Sequence, residues 1–456
     1  MEATLLYDLM WGVGGALLGG LIFSFMGLIS GTDETATVAP LTLLIILLGF
    51  PPVAVFSFFI GSAVSKHMTH AIPTALMGVP GDTMAVPLLE HANVLRRLGV
   101  PHVALRKMIS GAICGAFIAL PISVGFASLL APFGDIVKEW APIIFIIAAV
   151  IIAYTSKGKW ASIFLLIPFA VFLQGLIKMA VAAEHAVSIS IFLGIAIGPM
   201  FADIVTLLSP ATRSMLTRTG PKEFWLAPEM KTWKGYFPNP LKILSPKQAA
   251  YTAVGAGISA LTFTFSPVGM TVMAGEIISS KVKGTYQRLT TTLSVMNAVT
   301  EATYIAEAII PLIAFGIPLS PVALGPAGPL FNAPPVFSSD PVHNLHSMME
   351  PSQFLLFGFI GIIVAALIAY PFSMNYARKA SVLVLRKVSQ EAIICMFMGL
   401  IIVLSFYEAG IIGILVSVTI GIFGGILNKF FGVHTGVQFM TFYASTWMVA
   451  KLFGFQ

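Results

Sequence analysis

The chain has 456 residues, 57% of them hydrophobic and only 10% charged. An ordinary soluble domain is about 25% charged, so a soluble globular protein is excluded and an all-α polytopic membrane protein is expected. The net charge of +6 comes from basic loops between apolar runs, so it carries topological information and does not point to nucleic acid.

Apolar runs longer than the roughly 18 residues that mark a membrane helix begin with Met10–Ile29. They are continuous rather than alternating, which rules against a β-barrel. No basic residue precedes the first run, only Glu2 and Asp8, so it reads as a span and not as a cleaved signal peptide. The stretch "LISGTDETATVAP" (28–40) then interrupts the apolar pattern with small and polar residues, among them Gly31, Thr32, Asp33 and Glu34. After a further apolar run come Lys66, His67 and His70, and directly after them "IPTALMGVPGD" (72–82).

This last segment has a counterpart. "IPLIAFGIPLS" (310–320) begins 238 positions later and repeats Ile-Pro, six residues, Pro, with Gly, a branched aliphatic residue and Pro at its centre. The small-residue interruption repeats as well. "FSPVGMTVMAG" (265–275) places Gly269 at the same offset from Gly31, with Thr271 nearby. Proline removes a backbone donor and clashes with the preceding turn, so neither segment remains a regular helix across a membrane. Broken backbone at that depth is tolerated only when protein or a water-filled cavity surrounds it. Half-helix N-termini suit an anion and unwound carbonyls suit a small cation. The expectation is that Gly78–Thr83 and Gly316–Ser320 come together near mid-depth as one site.

The remaining order is read through charge. Basic residues gather on the cytoplasmic side of short loops. Segments 91–107, 209–247 and 373–391 and the turn holding Lys157 and Lys159 are therefore placed inside, with spans near 109–131, 141–155, 160–182, 187–208, 353–372, 392–407, 410–428 and 432–453 between them. The loop "SSDPVHNLHSMME" (338–350) has neither Lys nor Arg and is placed outside, as are both termini. On this scheme the cluster Lys281, Lys283, Arg288 also falls outside, against the charge rule. The loops after the two Gly-Pro motifs fall on opposite sides. The expected architecture is thus two inverted-topology repeats, residues 1–208 and 248–456, joined by a basic cytoplasmic linker 209–247, with roughly 12–14 membrane segments.

Ionisable residues inside spans are functional candidates. Lys66 either neutralises a substrate carboxylate or forms a structural ion pair with Asp33 or Glu301. Glu301 and Glu307 are candidates to carry a coupling proton. Asp82 and Thr83 follow the first break, and Pro80, Gly81, Pro318 and Ser320 belong to the breaks themselves. His67 and His70 are too few for a zinc site. Cys114 and Cys395 lie in apolar segments, so neither a disulfide nor a metal site is expected, and no cofactor is. The absence of a GxxxxGK[ST] loop argues against ATP-driven pumping by this chain.

The segment from Gly27 through "IPTALMGVPGD" to Gly99, together with "AIIPLIAFGIPLS" and "GPAGPLF" (325–331), resembles the TctA family, the large membrane subunit of tripartite tricarboxylate transporters. The likeness is best over residues 12–125 and 250–335. It implies a cation-coupled (Na⁺ or H⁺) secondary transporter of a small di- or tricarboxylate-like anion, not an enzyme. It also implies residence in a cell membrane, a homodimer, an elevator-like movement, a small membrane subunit and an extracytoplasmic binding protein. The breaks and the ionisable residues within spans together assign substrate binding to Lys66, Gly78, Pro80, Gly81, Asp82, Thr83, Gly316, Pro318 and Ser320. They assign coupling to Gly31, Thr32, Asp33, Gly269, Thr271, Glu301 and Glu307. This chain departs from the family pattern at Leu319, which replaces the usual Gly, and at Lys66, His67 and His70, in a stretch that the family keeps small and glycine-rich. Two competing classes, an uncoupled anion channel and an intramembrane enzyme, fit the residues less well. The channel would need no coupling ion, and the enzyme would need a nucleophile–base pair or metal ligands.

Overall fold

The structure is a computed structural model that describes residues 2–155, 158–208, 210–211, 226, 233–264, 266–331, 344–388 and 390–453. Most of the basic charge in the 209–247 linker (Arg213, Arg218, Lys222 and Lys231), the turn residue Lys157, and positions 338–343 of the loop expected outside all lie outside the described residues.

Among the described residues there is no strand, and about 85% of the chain is helical. The longer helices number fourteen among the described residues. They are α1 (Glu2–Met26), α2 (Glu34–Leu47), α3 (Pro52–Thr69), α4 (Leu89–Arg97), α5 (Pro101–Leu130), α6 (Gly134–Thr155), α7 (Lys159–Ala182) and α8 (Ser188–Leu208), then α9 (Pro246–Ser259), α10 (Pro267–Lys281), α11 (Thr285–Phe315), α12 (Pro351–Lys387), α13 (Gln390–Phe431) and α14 (Thr435–Phe453). Among the described residues, six stretches are long and apolar enough to cross a membrane: 5–26, 101–141, 159–182, 285–315, 351–387 and 392–431. The protein is a multi-pass, all-α membrane protein.

Several boundaries follow from local chemistry. Pro occupies the first turn of α3, α5, α9, α10 and α12, where its missing N–H removes no helix bond. Asp33 caps α2 through Thr35 N–H, and Ser245 and Gln248 form a reciprocal capping box on α9. α13 is two helices joined at a kink, with Ala409 and Gly410 out of helical conformation, where the sequence reading ended one span and began the next.

Two large apolar clusters divide the molecule. One unites α1, α3, α5, α11 and α12 with both Gly-Pro segments. The other unites α6, α7, α8, α14 and most of α13. α2 straddles them, giving Val38 and Ile45 to the first and Ala36, Ala39 and Leu43 to the second.

The central helices reveal their directions through their contacts. α5 and α11 run parallel, since side chains at Gly111 and Gly115 would strike the carbonyls of Ser294 and Ala298 in turn. α3 and α12 also run parallel: Ser57 Oγ donates to the Phe357 carbonyl (3.1 Å), and Gly361 lies against Ile60. α5 and α12 run opposite ways, because Ser110 meets Tyr370 (Oγ to Oη 3.1 Å) while Leu120 meets Gly358. Hence α3 and α11, the helices that lead into the two Gly-Pro segments, point in opposite directions.

The same contacts correct one expectation. His91 Nε2 lies 3.1 Å from Ser279 Oγ, Lys107 Nζ donates to Gln248 Oε1 (2.7 Å), and Gln248 Nε2 donates to Thr290 Oγ1 (2.9 Å). Lys281, Lys283 and Arg288 therefore sit at the same end of the bundle as the basic 91–107 segment, not at the opposite end. α11 starts beside the start of α5, so the conflict with the charge rule disappears.

Candidate functional site

α3 ends in a turn that carries Lys66 and His67, followed by a π-helical turn at Pro73–Met77. Gly78 then adopts a left-handed conformation (φ 71°, ψ 27°), which favours glycine. Asp82 is extended (φ −153°, ψ −171°) and caps a 3₁₀ segment, Thr83–Leu88, by accepting from Ala85 N–H at 3.1 Å. In the second half α11 ends at Gly316 with nearly the same geometry (φ 64°, ψ 17°). Ser320 (φ −137°, ψ 161°) caps Pro321–Leu324 by accepting from Ala323 N–H at 3.0 Å. Gly78 and Gly316, Asp82 and Ser320, and Ala85 and Ala323 are each 238 positions apart. The repeat seen in letters is a repeat in backbone.

The two glycines face different surroundings. Gly78 lies against Asn93 and Arg96 of α4. Gly316 lies under the His346 ring, and its carbonyl accepts from Asn344 Nδ2 at 2.9 Å. Burial holds the His346 imidazole below its ordinary value.

The first interruption docks on the first break. Gly31 N–H donates to the Gly81 carbonyl (3.0 Å), and Ser30 Oγ donates to the Pro80 carbonyl (2.6 Å). Gly81 has no room for a side chain, since a Cβ there would lie 2.7 Å from the His70 carbonyl oxygen. Thr74 Oγ1 donates to that same carbonyl and accepts from Gly81 N–H.

A buried charge network fills the space behind this docking. Lys66 Nζ donates to the Thr32 carbonyl (2.6 Å) and faces Asp82 Oδ2 (3.4 Å) and Glu34 Oε1 (3.7 Å). His70 Nδ1 sits 3.0 Å from both oxygens of Asp82. His67 bridges two carboxylates, with Nε2 2.7 Å from Glu34 Oε1 and Nδ1 2.8 Å from Glu301 Oε2. The edge of the Tyr304 ring stands against His67, centroids 4.6 Å apart. Every ionisable member of this network is at most 5% exposed. Lys66 and two imidazoles face three carboxylates, so the group is neutral when both histidines are protonated. Balance matters here because an unpaired buried charge costs several kcal/mol.

The second break is built differently. Glu307 Oε2 accepts from Val322 N–H (3.1 Å), and Ser320 Oγ donates to the Glu307 carbonyl (2.8 Å). Gly325 packs against Thr35 in the first turn of α2, so α2 touches the second break with one residue and His67 with its neighbour Glu34.

Lys66, Asp82, Thr32 and Glu301 thus meet in one network, with Gly31, Pro80 and Gly81 beside it. Glu307, Ser320, Gly316 and Pro318 form the second break. Lys66 pairs with Glu34 and Asp82 rather than with Asp33 or Glu301. Thr83 is exposed. Thr271 is engaged with the Thr300 hydroxyl (2.7 Å) and Gly269 is exposed, so this pair is held on α10 and α11 apart from Lys66. The N–H groups of Gly81, Ala85, Val322 and Ala323 are taken by Thr74, Asp82, Glu307 and Ser320. Sequence reasoning missed Tyr304, which stands 238 positions after Lys66 and could have been found by that offset. It also missed Glu408, whose carboxylate accepts from Ile189 N–H, Ser190 N–H and Ser190 Oγ (2.6–2.7 Å) and so caps α8 from the kink in α13.

A polytopic helical protein with two matched helix breaks and a buried charge network beside one of them has the build of a membrane transporter. The chain belongs to the tripartite tricarboxylate transporter TctA family, whose model matches residues 13–435, nearly the whole length. No curated protein and no solved structure matches it.

Proposed function

We propose that this protein is the membrane-spanning permease of a tripartite tricarboxylate transporter, moving a small di- or tricarboxylate by cation-coupled secondary transport. The observation that carries this reading is the pair of breaks at Gly78–Asp82 and Gly316–Ser320, closely similar in backbone at the glycine and at the cap and entered from helices of opposite direction. Such a pair is what an inverted-topology repeat produces, and a repeat of that kind builds one site able to face either side of a membrane. Residues 1–208 and 248–456 are the two repeats in this reading, and the end bearing Arg96, Arg97, Lys107, Lys281 and Arg288 is cytoplasmic.

The two apolar clusters fit an elevator-like movement. The cluster holding both breaks is the moving core, and the cluster of α6, α7, α8, α13 and α14 is the scaffold, which a homodimer would anchor. Family membership supports a small membrane subunit and an extracytoplasmic binding protein as partners, with residence in a cell membrane.

Uptake of labelled citrate into vesicles containing the chain and its partner subunits tests the reading. Uptake driven above equilibrium by an imposed Na⁺ or H⁺ gradient is expected. Equilibration indifferent to both gradients would replace the coupled transporter with a facilitator.

A further inference from the structure

Resting on that transport reading, we propose that the coupling ion is a proton and that His67 is the group that holds it, as a clamp between Glu34 and Glu301. A neutral imidazole has one N–H and one lone pair. His67 presents both ring nitrogens to carboxylate oxygens, at 2.7 and 2.8 Å. One of these contacts is satisfied by the single N–H. The other sets a lone pair against a lone pair unless a second proton is present, either on the ring or on a carboxylate. The triad therefore closes around one exchangeable proton and opens when that proton leaves.

The groups around His67 hold the count fixed. On the segment entering α2 there are Asp33 and Glu34, and on α3 there are Lys66 and His70. At the break there is Asp82, and on α11 there are Glu301 and Tyr304. Lys66 is committed to Thr32, Asp82 and Glu34, and His70 to Asp82. Neither is placed to replace the His67 proton between Glu34 and Glu301. Glu34 Oε2, Glu301 Oε1 and Tyr304 Oη are buried with no protein hydrogen-bond partner. Losing the proton thus leaves one excess negative charge in the network, with Lys66 and His70 already shared with Asp82.

The clamp joins three elements that belong to different parts of the molecule. Glu34 lies in the first turn of α2, the helix shared between the two apolar clusters. His67 lies at the end of α3, six residues before Pro73 at the start of the π-helical turn that leads into the first break, and Glu301 lies on α11, six residues before Glu307 at the second. A protonated clamp ties α2 to both break-bearing helices. Release of the proton frees α2 with respect to them, and with it Thr35, which lies against Gly325 at the second break.

The test uses the full chain in lipid nanodiscs, with Cys114 and Cys395 replaced and spin labels at two exposed positions, Leu48 at the end of α2 and Tyr286 at the start of α11. The label-to-label distance distribution is recorded across the pH range in which an imidazole titrates, centred at about 6.5 in isolation, with and without Na⁺. The expected result is a distribution that shifts or broadens as pH rises, equally in Na⁺ and in K⁺, and that ceases to respond to pH in His67→Gln. Glu301→Gln serves as the second variant and is expected to lose the same response. A wild-type distribution that follows Na⁺ and not pH, or that follows neither, overturns the proposal, as does a pH response that survives in both variants. Citrate-driven acidification inside proteoliposomes is read separately. Its loss together with citrate uptake speaks against transport, whereas citrate uptake without acidification speaks against the proton.

Discussion

The two helix breaks share a backbone and differ in chemistry. Gly78 and Gly316 have the same left-handed geometry, and Asp82 and Ser320 cap the segment that follows in the same way. Yet the first break adjoins Lys66, His70 and Asp82, while the second is held by Glu307, a hydroxyl and backbone N–H groups. The first is also the more open at its middle: Val79 is 43% exposed and Pro80 half-buried, whereas the counterparts Ile317 and Pro318 are half-buried and buried. Backbone conformation at the glycine and the cap is thus common to the two breaks, whereas charge is not: among the described residues the ion network adjoins the first break.

The largest effect expected from breaking this parallel is at Gly81 and its counterpart Leu319. Gly81→Leu drives a side chain into His70 and displaces the first break, so citrate uptake should fall by about 100-fold or more, with membrane insertion unchanged by protease protection. Leu319→Gly at the equivalent site should leave uptake within a few-fold. Equal losses at both sites would show that the breaks are constrained alike.

Next comes the charge difference. Lys66→Met removes the lysine shared by Asp82 and Glu34 and leaves the buried network short of one positive charge, which should cost about 3–5 kcal/mol, read as a large drop in melting temperature in detergent. Glu307→Gln keeps an acceptor for Val322 N–H and should cost about 1 kcal/mol. A Glu307→Gln variant as damaged as Lys66→Met would place essential charge at both breaks.

The smallest effect belongs to the cap that the two share in form. Ser320→Ala removes one acceptor from Ala323 N–H and should cost about 1 kcal/mol. Asp82→Ser keeps the cap and removes the carboxylate. It should cost more than Ser320→Ala, because Lys66 and His70 lose their shared partner. Thermal melting of the two variants side by side decides this, and equal costs would mean that Asp82 acts only as a cap.

Much of the architecture was legible because it is written in local punctuation. Gly and Pro at fixed offsets impose backbone geometry wherever they stand, so the repeat of 238 positions returned as matching φ and ψ at Gly78 and Gly316. Sidedness was less legible. Lys281, Lys283 and Arg288 were assigned by counting spans, but α11 runs parallel to α5 and begins at its basic end. The pairing inside the network was hidden as well. Asp33 and Glu34 are adjacent, and only the cap geometry, with Asp33 taken by Thr35 N–H, turns Glu34 inward to Lys66 and His67. Glu301 reaches His67 across 234 positions, a distance that no local pattern spans.

The most direct test of the central claim, that the two breaks form one carboxylate site, is substrate protection of single cysteines. Thr83→Cys and Ile317→Cys are placed separately in a chain lacking Cys114 and Cys395, and alkylation is timed with and without a panel of di- and tricarboxylates. One compound slowing alkylation at both positions, with the same concentration dependence, is the predicted result. Protection at one position alone, or at neither with any compound that the chain transports, would contradict a shared site.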